Sequence, residues 1–233
     1  YPTNIKTAKR ITQQEAKLDP EQADVVYVPE LAKDLLEQIS FEARDNEFID
    51  PRSGISARLS ITAYENLMST AERRAVKNGE NRTLVRFGDF LGVIPSITGK
   101  IELVYEGEQE GSATVAQQLI ADAVKTLFPK YFPKIEKLEK PKAENPYNEL
   151  VEWFFAESGF ELLDDISDKE YKEKLDSIPP LNDLIKKYQP DFPEEDKYFL
   201  KEFLLWGLVE FQKLNKYRLT TGMRFKDLYG SYI

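Results

Sequence analysis

The residue of this chain best suited to chemistry is an arginine near the start of an amphipathic helix. Asp50–Arg74 reads D-P-R-S-G-I-S-A-R-L-S-I-T-A-Y-E-N-L-M-S-T-A-E-R-R. The turn signals Asp50-Pro51 and Ser53-Gly54 lead into a run with helical spacing, and Arg58 falls in its first turns. A guanidinium is permanently charged and its planar fork matches carboxylate or phosphate oxygens. From a helix start it can be held rigidly and aimed at an anion on a neighbouring surface. On composition alone, an arginine on a helix is usually a solvated ion-pair residue.

Other groupings of chemical residue types are weaker. Gly92–Lys100, G-V-I-P-S-I-T-G-K, is the nearest approach to a phosphate loop. A P-loop needs four residues between its glycines and Ser or Thr after the lysine. Here six intervene, Pro95 removes an N–H donor, and Ile101 follows the lysine. A turn between packed elements is the better reading. Glu106, Glu108 and Glu110 lack the Asp/Asn ladder of a calcium loop and read as a solvated turn. Asp164, Asp165 and Asp168 suit the positive end of a helix dipole. Trp153-Phe154-Phe155 and Trp206 read as core, with room for one partner-facing ring. No Glu–Asp pair stands out for acid–base work.

The chain has 233 residues, 41% of them hydrophobic and 12% aromatic, which is globular composition. It has no Cys and no His, so disulfides, thiolate metal sites and imidazole catalysis are excluded. A net charge of -9 repels nucleic acid and anionic membrane, and basic residues are interleaved with acidic ones. No signal peptide or run of transmembrane length is present, and a cytoplasmic location is expected. The sequence begins at Tyr1 without a Met, which suggests a piece of a longer protein.

The elements that must position Arg58 are helices. Asn4 or Thr3 caps a first helix to about Leu18, and Pro29 begins a second to about Arg44 with Leu31, Leu35, Leu36, Ile39 and Ala43 inward. The third runs from about Ile55 to Lys77, stops at Asn78-Gly79, and buries Ile55, Leu59, Ala63, Leu67, Ala71 and Ala75. Residues 83–105 read as short helices with a sharp turn, and Ile101–Tyr105 could be a brief strand. A helix over about Ser112–Leu127 follows. Prolines 129, 133, 141 and 146 mark a linker with a boundary near residue 140. Beyond it, helices are predicted over Tyr147–Glu157, Asp168–Leu175, Leu181–Tyr188 and Glu194–Leu214. The fold class is therefore mainly α: a helical domain over 1–140 and a second helical unit over 141–233.

The run Gly54-Ile55-Ser56-Ala57-Arg58-Leu59-Ser60-Ile61 resembles the start of a lid helix in AAA+ ATPases of the magnesium-chelatase subunit I and MoxR-like group. Tyr1–Asn4, Val28–Leu31, Ala71–Ala75 and Ile94–Gly111 carry the resemblance through roughly residues 1–132. It implies a helical lid whose sensor 2 arginine, here Arg58, contacts the γ-phosphate of ATP, with Arg52, Arg73 and Arg74 as weaker alternatives. The family's Walker motifs, sensor 1 and arginine finger have no counterpart in the chain. ATP and Mg²⁺ would then be held mainly by an upstream P-loop domain of a longer parent, and neither is expected on this chain alone, which should not hydrolyse ATP. The implied partners are that domain, neighbouring subunits of a ring and a metal-ion-adhesion-site-type protein. Remodelling of a partner is favoured over porphyrin metalation. A non-enzymatic interaction module is the alternative.

Overall fold

The computed structural model describes residues 2–135, 145–157 and 160–228. It is mainly α, with eleven α-helices and a few short strands among the described residues. The chain divides into two compact units, Tyr1–Thr126 and Leu127–Ile233. This division lies upstream of the boundary anticipated near residue 140, a position that itself falls outside the described residues. Tyr1 of the N-terminal motif falls outside them as well. Phe128 accounts for the earlier division, because its ring packs with Phe132, Tyr147, Phe203 and Phe211 of the second unit.

The first unit is built on α1 (Ile5–Glu15), α2 (Pro20–Val25), α3 (Glu30–Asp45) and α4 (Ala57–Asn78). Asn4 caps α1, its side chain accepting from the Thr7 N–H at 2.9 Å. Pro20 sits in the first turn of α2, where a missing N–H costs nothing. Helices α1, α3 and α4 pack on one another. Leu35 and Leu67 are fully buried, each contributing about 1.5–3 kcal/mol relative to an exposed side chain. All six apolar positions expected to line the inner side of the third helix are buried. That helix stops at Gly79, whose φ of 65° is the left-handed conformation glycine adopts without penalty.

Short strands β1 (Val26–Tyr27) and β2 (Thr83–Leu84) pair in parallel beside α4. A 3-10 helix (Phe87–Val93) leads into α5 (Ile94–Thr98). The brief strand considered over 101–105 is reduced to a single antiparallel bridge, Ile49 to Leu103. The acidic stretch expected to be a turn instead forms α6 (Tyr105–Glu110). Gly107 lets that helix lie against the Phe48 carbonyl, which a Cβ would meet at 2.5 Å. The last helix of the unit is α7 (Ser112–Leu127), where the Thr126 hydroxyl donates to Glu42 on α3 at 2.7 Å.

The second unit contains α8 (Asn148–Ala156), α9 (Asp168–Asp176), α10 (Pro179–Tyr188) and α11 (Lys197–Glu210). Every residue of α11 from Phe199 to Leu208 is buried. Its interior polar group Glu202 accepts from the Tyr171 hydroxyl at 2.8 Å. The sequence reading anticipated helices only. The structure adds a three-stranded antiparallel sheet of β3 (Phe160–Leu163), β4 (Asn215–Leu219) and β5 (Gly222–Lys226), ordered β3-β5-β4. The helix expected to reach Leu214 ends at Glu210, freeing the chain for the β4–β5 hairpin. Among the described residues no helix is long and apolar enough to cross a membrane.

Candidate functional site

The start of α4 is assembled by local capping. The Asp50 carboxylate accepts from the Arg52 N–H at 2.8 Å and closes a 3-10 turn over Pro51–Ser53. Gly54, at φ 61°, reverses the chain. Ile55 turns inward and is 5% exposed. Ser56 caps the helix, its hydroxyl accepting from the Arg58 N–H at 3.3 Å. Arg58 is thus the second residue of a capped helix whose inner face is buried.

The Arg58 side chain is exposed and has no hydrogen-bond or ion-pair partner among the described residues. No acidic residue lies in the first turn of α4. A cation here also opposes the positive end of the helix dipole. Local electrostatics therefore leave both the guanidinium and the helix terminus suited to an anion from outside.

The three alternative arginines are placed differently. Arg52 is exposed and ion-paired with Asp50 at 2.6 Å. Its side chain and backbone hydrogen bonds pull the Asp50 carboxyl down to about 2. Arg73 is exposed on the fifth turn of α4. Arg74 is 3% exposed and structural. It pairs with Asp89, and donates to the Leu84 carbonyl at 2.7 Å and to the Thr83 hydroxyl at 3.3 Å. The other Asp89 oxygen accepts from the Arg86 N–H at 2.7 Å.

The remaining candidates resolve into structural roles. Gly92–Lys100 spans the end of the 3-10 helix and α5, and a Cβ at Gly92 would lie 2.2 Å from the Thr70 hydroxyl. That backbone is packed on α4 and cannot cradle a phosphate. Glu106 and Glu108 lie in the first turn of α6, where they complement its dipole. Asp164 pairs with Arg218 at 2.8 Å, and Asp168 opens α9 behind its Ser167 cap. No group of three or more acidic residues that could hold a metal ion occurs among the described residues. Phe154 is fully buried and Trp206 is 5% exposed, whereas Phe155 is 67% exposed.

Sequence reasoning missed one constellation close to Arg58. Glu37 on α3 is 2% exposed and accepts from the hydroxyls of Thr12 at 2.5 Å and Ser60 at 2.7 Å. Glu37 lies off the Leu31, Leu35, Ile39 stripe, so helical spacing alone does not place it in the interior. Packing of both α1 and α4 onto α3 covers it.

Comparison with protein-family models, with curated proteins and with solved structures returned no match.

Proposed function

We propose that the chain is the lid and C-terminal extension of a magnesium-chelatase/MoxR-like AAA+ ATPase, and that Arg58 reads the distal phosphate of ATP held by a P-loop module outside this sequence. The observation that carries the reading is Arg58 itself, an exposed guanidinium with no partner among the described residues, fixed at the capped start of a helix. It joins the sequence resemblance centred on Gly54–Ile61. A guanidinium donating two hydrogen bonds to phosphate oxygens would tie the angle of α4 to the presence of that phosphate.

The described residues do not by themselves fit a nucleotide or its Mg²⁺. They offer one arginine and a helix terminus, with no loop of N–H donors and no acidic cluster able to hold a metal ion. The phosphate cradle and metal ligands belong to the other module in this reading. The role left to this chain is to orient and hold one charge-assisted contact, and to transmit its making or breaking through α4. The consequence would be assembly with neighbouring ring subunits and remodelling of a partner protein.

ATP turnover of the full-length parent carrying Arg58→Ala tests this. Loss of a charge-assisted hydrogen bond predicts a fall of about 10- to 100-fold, while Arg73→Ala leaves turnover near the parent's. Unchanged turnover and unchanged nucleotide-dependent assembly in Arg58→Ala would remove the sensor role.

A second reading, a non-enzymatic interaction module, is favoured by Phe155, whose ring is 67% exposed at the end of α8. Under that reading a photo-crosslinker at position 155 captures a protein partner while Arg58→Ala has no effect on it.

A further inference from the structure

Beneath the exposed start of α4 lies a buried hydroxyl–carboxyl relay. Thr12 on α1, Glu37 and Ser40 on α3, and Ser60 on α4 are each no more than 3% exposed. The Thr12 hydroxyl meets one Glu37 oxygen at 2.5 Å, the Ser60 hydroxyl meets the other at 2.7 Å, and the Ser40 and Ser60 hydroxyls are 2.6 Å apart. One carboxyl therefore fastens three helices together. Residues two apart on a helix point about 200° away from each other, so Ser60 reaches inward from the same turn that carries Arg58 outward.

We infer that Glu37 is a positioning residue for Arg58: its hydrogen bonds hold the first turn of α4 on α1 and α3, and its protonation state sets how firmly. The functional consequence rests on reading Arg58 as a phosphate sensor; the clamp itself does not. When Glu37 is ionised, Thr12 and Ser60 both donate to it, and Ser40 donates to Ser60. When it is protonated, its own O–H donates to Ser60, and Ser60 turns to donate to Ser40. The added proton comes from solvent and resides on Glu37, and the sense of two hydrogen bonds reverses.

The surroundings oppose the charged form. No ammonium or guanidinium lies within ion-pair distance of Glu37 among the described residues. Lys9 on α1 is engaged with Asp34 at 2.6 Å and Glu30 at 3.0 Å. Arg44 on α3 donates to the Pro2 carbonyl at 3.0 Å. From α4 the contact is the Ser60 hydroxyl, and Tyr64 one turn on is kept neutral by burial. Burial outweighs the Thr12 and Ser60 hydrogen bonds and the smaller opposing pull of the Arg44 and Lys9 charges, and pushes the Glu37 carboxyl above the ordinary glutamate range. Because the folded value is raised, the stability from this group is complete below the unfolded value. It is lost as pH rises through the folded value.

The test is a ¹⁵N pH titration of the backbone amides of Arg58–Ser60, from pH 4 to 8, in the 233-residue chain. The wild-type amides should titrate with a midpoint above the ordinary glutamate range, and Glu37→Gln should abolish that transition. Thr12→Val, which keeps the side-chain shape, removes a donor that favours the charged form and should move the midpoint to higher pH. Amides that stay flat in wild type, or a transition that survives in Glu37→Gln, overturn the proposal. Should Glu37→Gln not fold, a Thr12→Val midpoint that is unmoved or lowered overturns it equally. If the amides titrate but parent turnover ignores Arg58→Ala, the clamp stands and the sensor reading falls. If Arg58→Ala cuts turnover while the amides stay flat, the sensor stands and Glu37 is not its positioning residue.

Discussion

Arg58 and Arg74 lie at opposite ends of α4 and have opposite fates. Arg74 is 3% exposed and held by Asp89, Thr83 and the Leu84 carbonyl, fastening the helix to β2 and the following 3-10 helix. Arg58 is exposed and has no partner within the described chain. Both side chains are equally able to bind an anion. The difference is that the fold supplies an anion at one end of the helix and withholds it at the other. A charge already neutralised inside the unit can only hold it together, whereas one left open can answer to something outside.

The largest expected effect breaks the closed end. Removing one partner of a buried ion pair strands the other, so Arg74→Leu or Asp89→Ala should each destabilise the protein by about 3–5 kcal/mol, read by chemical denaturation. The double change Arg74→Leu, Asp89→Leu should cost less than the sum of the two, because no uncompensated charge remains. An additive double mutant would mean the pair is not the unit of stability at that end.

A smaller effect loosens the open end without touching its charge. Ser56→Ala removes the cap and should cost about 1 kcal/mol. If Arg58 is the phosphate sensor proposed above, the same change should also weaken Arg58-dependent ATP turnover, because the guanidinium loses its fixed base. The smallest effect is the sharpest for the comparison. Arg58→Ala should leave stability within about 0.5 kcal/mol of wild type, as for a surface substitution with no partner to lose. A loss of several kcal/mol, measured in the same denaturation experiment, would mean Arg58 is a structural residue like Arg74 and would erase the contrast.

Neighbouring residues in sequence carried unequal amounts of this information. The spacing of Leu59, Ala63, Leu67, Ala71 and Ala75 predicts one buried face, and all five are buried. Gly79 predicts the helix stop, and its φ of 65° is the physical reason. Arg73 and Arg74, in contrast, are adjacent and identical, and only one is buried. Their 100° separation on the helix decides that once the position of Asp89 is known. The acidic Glu106–Glu110 stretch reads as a turn because Gly107 and the repeated charges break helical patterning. It folds as a short helix, in which Gly107 serves close approach to the Phe48 carbonyl rather than a turn. Positions 216–219 and 223–226 each alternate polar and apolar residues, a short period-two signal that a helix drawn through Leu214 left unused. Pairing of β4 with β5 supplies the hydrogen bonds.

By itself the sequence determined the mainly helical class, the inward face of α4, and the helix cap and helix stop set by Asn4 and Gly79. These follow from interactions within a few residues, which local spacing encodes. Tertiary structure alone decided that Arg74 is locked while Arg58 is open, that Glu37 is a buried link between three helices, and that a sheet completes the second unit. Each of these depends on groups brought from distant parts of the chain. An acid or arginine carries no local mark of whether a partner will arrive to meet it.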